Sequence, residues 1–155
     1  MTPAVDMVNK AGIGFTTHSY AHDPKHESYG LEAAEKLGIP PQQVFKTLVV
    51  ALDGKGLAVG LVPVSASLDL KAVAKALGAK KAAMADARSV QRSTGYVLGG
   101  VSPLGQKRVL PTIIDASAQT LERMYVSAGR RGLEIALSPG DLCALLKAEF
   151  QEIAK

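Results

Sequence analysis

The sequence predicts a single α/β domain, with a largely antiparallel or mixed sheet and helices packed outside it. Three observations carry this reading. The chain has 155 residues, the length of one domain with a sizeable core, and no linker, repeat or low-complexity tract divides it. Short runs rich in β-formers alternate with short amphipathic stripes. Fifteen glycines and eight prolines supply many turns, which suits a mixed domain better than a helical bundle. Aromatic residues make up only 5% and there is no tryptophan, so the core has to be aliphatic.

The elements come in this order. Thr2 is placed to cap a first helix with Pro3 at its first position, and Val5, Val8 and Ala11 form its apolar stripe up to Gly12. Phe15 to Tyr20 is rich in β-formers and reads as a strand, after which Asp23-Pro24 forces a turn. Leu31 to Leu37 makes a short helix stopped by Gly38 and Pro40-Pro41. Val44 to Leu52 and Leu57 to Val64 are apolar runs joined by Asp53-Gly54-Lys55-Gly56, a hairpin signal.

Leu68-Asp69 opens a helix through Leu77, with Gly78 as its stop. Lys80 to Met84 reads as a strand, and Asp86 caps a helix running towards Arg92. A glycine-rich passage covers Gly95 to Gly105. Three further strands are expected at Thr112–Asp115, Met124–Ser127 and Leu133–Leu137. Ser138-Pro139-Gly140-Asp141 then starts a last helix whose face includes Leu142, Leu145 and Leu146.

The lone Cys143 has no internal partner for a disulfide, as is usual in a reducing compartment, and it reads as a packing residue. No stretch is long and apolar enough to span a bilayer, and the N-terminus lacks the pattern of a signal peptide. A cytoplasmic protein with no membrane partner is therefore expected. The net charge of +4 is unevenly spread: residues 56–131 carry eleven Lys/Arg against four Asp/Glu, whereas the flanking segments are slightly acidic. A basic middle suits a phosphate-backbone partner, and a solvated basic surface accounts for it equally well.

Lys46 is the most informative single residue. Val44, Lys46, Leu48 and Val50 share one face of their strand, and Phe45, Thr47, Val49 and Ala51 share the other. Both faces are apolar, so a lysine in the middle is costly unless its ammonium reaches water or a cleft. A stem that packs while the head snorkels to solvent is the ordinary explanation. An amine at the mouth of a polar pocket would instead be placed to hold a phosphate or polarise an ester carbonyl.

The glycine-rich passage is a second candidate, because glycines let backbone N–H groups approach a carbonyl, an oxyanion or a phosphate closely. Its spacing fits neither a P-loop nor a dinucleotide fingerprint, and most such passages are turns. His18, His22 and His26 are spaced by four, but the β-like run and Asp23-Pro24 keep them off one helix, so no metal site is expected. No Ser/His/Asp triad can be assigned from spacing.

Taken together, Thr2-Pro3-Ala4-Val5, His22-Asp23-Pro24, Val44 to Val49, Asp69 to Lys81, Gln91 to Tyr96, Gly99 to Lys107 and Arg131 to Ile135 closely resemble the YbaK/EbsC family, in order and over nearly the whole chain. That family is related to the editing domain inserted in bacterial prolyl-tRNA synthetases. The resemblance implies a mixed, mostly antiparallel sheet curled into a partial barrel with flanking helices. It also implies deacylation of Cys-tRNA(Pro), with no cofactor and no metal. The tRNA acceptor end is then the partner, in association with prolyl-tRNA synthetase. Cysteine is close to proline in size, so a second site has to remove the charging error.

Carried over by position, Lys46 matches the family's essential lysine, which would hold the terminal phosphate and adenosine of the tRNA. Thr47 and Tyr20 match pocket residues beside it. Gly99 and Pro103 fit the family's Gly-x-x-x-Pro loop, which includes Gly100 as a further substrate-binding position and whose backbone N–H groups would position the ester carbonyl. Ser127 and Glu134 match polar residues lining the pocket. Tyr29 stands where the family often has Phe, and Glu134 where it often has Asp. The implied mechanism needs no enzyme nucleophile, since the thiol of the substrate's cysteine attacks its own ester. Two alternatives stay open in the sequence. One is an Ala-tRNA(Pro) deacylase of the same superfamily. The other is a non-catalytic RNA or synthetase accessory protein using Arg88, Arg92, Lys107, Arg108, Arg130 and Arg131 as its contact surface.

Overall fold

The structure, a computed structural model, describes residues 1–26 and 28–155. Thr2 accepts the Val5 N–H and opens helix α1 (Pro3–Ala11), which buries Ala4, Val5 and Val8. Strand β1 (Phe15–Ser19) comes next, and then helix α2 (Tyr29–Leu37). That helix begins two residues before the expected Leu31, because Ser28 accepts the Leu31 N–H and serves as its cap. Glycine is required at Gly30: a Cβ there would stand 2.3 Å from Val64 Cγ1, so the helix rests directly on the residue that follows Pro63.

The expected hairpin is β2 (Phe45–Leu52) with β3 (Gly56–Pro63), in antiparallel register from Phe45–Pro63 to Leu52–Gly56. Helix α3 (Leu70–Ala76), strand β4 (Ala82–Met84) and helix α4 (Ala87–Thr94) come next, the helices capped by Asp69 and Asp86. Strands β5 (Thr112–Asp115), β6 (Met124–Arg130) and β7 (Leu133–Leu137) precede helix α5 (Pro139–Leu146) and a last short strand, β8 (Glu149–Gln151). The sequence does not predict β8, since three residues are too few to show alternation. Asp115 anchors the C-terminal residues beyond β8 by accepting the N–H groups of Ile153 and Ala154 at 2.9 and 3.0 Å.

The strands divide between two sheets. One has the order β1-β7-β6 and is antiparallel; the other has the order β4-β2-β3-β5-β8. In the second, β3 with β5 and β5 with β8 are parallel, because the chain crosses over through helices before each pairing. An isolated parallel bridge between Val44 and Tyr125 joins the sheets, and no ring of strands closes among the described residues. Of the single curled sheet implied by the resemblance, the structure has the mixed pairing and the flanking helices.

Alternation along the strands sorts the cores. Val126, Ile135 and Leu137 point with Phe45, Val49 and Leu61 into the main aliphatic core, which α1, α4 and α5 cover. Val50, Leu52 and Val62, on the opposite face of the second sheet, pack against α3 around Val73. Tyr125, Ala136 and Val44 pack against Ala33 and Ala34 of α2. Lys46 lies on the β2 face between these last two clusters, on the face the sequence assigned to it. No helix among the described residues is long and apolar enough to cross a membrane.

Candidate active site

Where β2, α2 and the β6–β7 hairpin meet the glycine-rich loop, a cavity of about 310 Å³ opens to solvent. Seven of the nine residues singled out in the sequence line it: Tyr20, Tyr29, Lys46, Thr47, Gly99, Ser127 and Glu134. The other two do not. Gly100 is buried beneath the loop, where its N–H donates to the Val97 carbonyl at 3.0 Å and is committed to a turn. Pro103 lines a second, smaller cleft with Met7, Gln106 and Leu146. The loop turns back through Leu104, which is fully buried and accepts the Tyr96 hydroxyl at 2.7 Å, and this carries Pro103 away from Lys46.

Lys46 is half-buried, and burial holds its ammonium below the ordinary lysine value. No carboxylate or acceptor among the described residues pairs with it. Thr47 Oγ1 beside it is the one buried side-chain oxygen among the described residues with no hydrogen-bond partner. Buried hydroxyls in folded proteins are as a rule hydrogen-bonded, so this one carries a desolvation cost.

Glu134 is set by the sheet. On β7 it pairs in register with His18 of β1 and with Ser127 of β6, so it projects onto the face that α2 covers. It is only 6% exposed, and burial pushes its carboxyl up to about 8. At neutral pH it is therefore largely a neutral acid, able to donate as well as accept. Burial first, and then the neighbouring Glu134 carboxyl, push the Tyr20 phenol up to about 12. The β6 register breaks between Ser127 and Arg130, and Ser127 Oγ accepts the Gly129 N–H at 3.1 Å across this bulge.

Gly99 has φ +90°, and its N–H has no protein acceptor among the described residues. The residues lining the cavity therefore include a lysine with no ion-pair partner, a glycine whose N–H has no acceptor among the described residues, and a carboxylic acid that burial keeps largely neutral. No histidine or cysteine is among its lining residues. That set can hold an anion at one end and orient a polar, uncharged group at the other.

Sequence reasoning did not single out Ser28 or Leu98, and it offered Arg130 only as part of a basic contact surface, yet all three line the cavity. Ser28 could have been found as the cap ahead of an apolar stripe. Leu98, 50% exposed, carried no sequence signal beyond its glycine neighbours. The three histidines part company: His18 bonds Thr16, His22 bonds Glu32, and His26 faces Glu35 at 3.5 Å. Cys143 Sγ lies 3.1 Å from the Ala148 carbonyl in a half-buried position. Of the basic residues, Lys107 and Arg108 are tied through their N–H groups to Thr94 and Ser93 at the end of α4, whereas Arg130 and Arg131 border the glycine loop.

The family model of the aminoacyl-tRNA editing domain matches residues 24–145. A protein of Enterococcus faecalis provisionally named Cys-tRNA(Pro)/Cys-tRNA(Cys) deacylase EbsC is 38% identical over 98% of this chain and 92% of its own length. The proline–tRNA ligase of Shouchella clausii is 32% identical over 70% of this chain, which corresponds to 19% of that enzyme. Among solved structures, a candidate trans-editing enzyme for prolyl-tRNA synthetase superposes with a TM-score of 0.87 at 23% identity, covering 99% of this chain and 95% of the other.

Proposed function

The chain belongs to the aminoacyl-tRNA editing domain family, and from that premise we propose that it is a trans-editing deacylase that removes cysteine from mischarged Cys-tRNA(Pro). The observation that carries this reading is the Lys46 ammonium, left without a counter-charge in a cavity that also holds the Gly99 N–H. A 3′-terminal aminoacyl nucleotide supplies the complement: phosphate for Lys46, an ester carbonyl for Gly99 and a short side chain for the space beside Tyr20, Tyr29 and Ser127.

The absence of histidine and cysteine from the lining favours a substrate that brings its own nucleophile. The cysteinyl thiol loses its proton and attacks the ester carbonyl; the carbon–sulfur bond forms and the bond to the ribose oxygen breaks. That oxygen takes up the proton, so the products are a thiolactone and free tRNA. The protein's contribution is to hold thiol, carbonyl and phosphate together, and a well-oriented intramolecular attack is worth up to ~7–11 kcal/mol. Glu134, as a neutral acid, is suited to hydrogen-bond the substrate's polar groups without adding a second negative charge. A domain of this size reads only the acceptor end, so tRNA selection is assigned to prolyl-tRNA synthetase as a partner.

The test is release of amino acid from Cys-tRNA(Pro) and Ala-tRNA(Pro) by wild type and Lys46→Ala. Rapid loss of cysteine, abolished in a folded Lys46→Ala, is the expected result. Preferential loss of alanine would reassign the substrate, and release of neither would overturn the enzymatic reading.

A further inference from the structure

We propose that Arg131 is a positioning residue of this cavity, one that aims the Gly99 N–H by gripping the peptide to which it belongs. The proposal rests on the deacylase reading for its consequence in turnover, but its geometry stands apart from it. Arg131 Nη2 donates to the Leu98 carbonyl at 2.8 Å. That carbonyl and the Gly99 N–H belong to one planar trans peptide, in which the two groups point in opposite directions. Fixing the oxygen therefore fixes the N–H.

The grip is braced on both sides. The guanidinium carbon lies 4.1 Å from the centroid of the Tyr29 ring, a cation–π stack that sets the plane of the arginine. Gly99 fills the remaining space: a Cβ there would stand 2.5 Å from Arg131 Nε and 2.6 Å from Tyr29 Cε2. Tyr29 in turn cannot drift. It is the first residue of α2, its ring lies 5.6 Å from that of His22, and His22 Nδ1 is 2.6 Å from the buried Glu32 carboxylate. The line of contacts runs from a buried carboxylate on α2, through two rings and a guanidinium, to one backbone N–H at the cavity.

A second role for Arg131, as a surface cation for tRNA phosphate, makes different demands. A phosphate contact needs only positive charge, which lysine keeps. Gripping the peptide while stacked on a ring needs the planar fork of arginine, which lysine lacks.

The experiment compares the full-length wild type with Arg131→Lys and Arg131→Gln, in deacylation of Cys-tRNA(Pro) and in the amide resonance of 15N-labelled Gly99. Arg131 is exposed, so both variants are expected to fold. Both should lower kcat by ~10- to 100-fold and leave KM within about twofold, because the reacting carbonyl is misplaced after capture. Both should also shift the Gly99 amide resonance and speed its exchange. Restoration of kcat by lysine, or a raised KM with kcat intact, would assign Arg131 to phosphate binding and overturn the proposal. If the wild type deacylates neither Cys- nor Ala-tRNA(Pro), the proposed function fails, and an unmoved Gly99 amide in both variants would still overturn the positioning role by itself.

Discussion

His22 Nδ1 lies 2.6 Å from Glu32 Oε1, and the carboxylate it meets is fully buried at the start of α2. The other oxygen, Oε2, accepts the Asp23 N–H at 2.8 Å and faces the Lys36 ammonium at 3.0 Å. A buried charge is tolerable only when its lone pairs are answered in this way. Here the donors come from both the helix and the segment preceding it. These contacts tie the stretch from Tyr20 to Asp23 onto α2, adding polar anchors to the apolar packing of Ala33 and Ala34 that seats the helix.

Glu32→Gln removes the charge those donors share and is expected to cost about 1.5–3 kcal/mol, read as a lower midpoint in urea. Its acid behaviour comes from the same contacts. Burial by itself would raise the carboxyl, but the hydrogen bonds from His22, the Asp23 N–H and Lys36 overcome it and hold the group at about 2. A folded value below the unfolded one means that this stabilisation is complete above the usual 4.5 and is lost as the pH falls towards 2. Wild type should lose stability across that interval more steeply than Glu32→Gln, and equal slopes would remove Glu32 as the cause.

Gly99→Ala places a Cβ where Arg131 and Tyr29 already stand, on a backbone with φ +90°. A stability loss of about 1–3 kcal/mol is expected. Deacylation should fall further than stability does, since the loop has to move to admit the methyl group. An alanine variant with wild-type unfolding and turnover would show that the loop is not held as tightly as the contacts indicate.

Much of this was legible in the sequence, for identifiable reasons. Pro3 after Thr2, Gly38 after Leu37 and Asp53-Gly54-Lys55-Gly56 are local signals whose physics is complete within a few residues. The two faces of β2 were legible because alternation alone sorts Lys46 from Thr47. The division into two sheets was not, since it depends on which strand edges meet at Val44 and Tyr125, far apart in the chain. Pro103 shows the limit at the site: proximity in sequence to Gly99 gave no warning that the loop turns over Leu104 into another cleft. His22 shows the converse, because its spacing to His18 and His26 says nothing about a carboxylate ten residues later.

Glu134 predicts the opposite pH dependence to Glu32. Burial raises its carboxyl from 4.5 to about 8, so the folded protein keeps a proton that the unfolded chain has released. Stability should therefore decline as the pH rises from about 4.5 to about 8, by up to a few kcal/mol. Glu134→Gln preserves the shape, cannot ionise, and should flatten that decline in urea titrations taken across the interval. A decline of undiminished slope in the variant would place the responsible group elsewhere.

Thr47 offers a case where stability and activity should move in opposite directions. Its Oγ1 is buried without a partner, so the free protein carries the cost of a desolvated hydroxyl. Thr47→Val replaces that oxygen with a methyl group of similar size and should stabilise the free protein by about 1–2 kcal/mol. If the oxygen waits for substrate, the same change removes a hydrogen bond made only in the complex, and deacylation should weaken through a raised KM, a lowered kcat or both. Urea unfolding and steady-state deacylation of one preparation decide the matter. Gains in both would mean that Thr47 is an imperfection of the core, and a loss of stability would mean that the hydroxyl already has a partner in the free protein. Only the split result assigns the oxygen to the ligand, because natural proteins also keep residues that cost stability without serving a site.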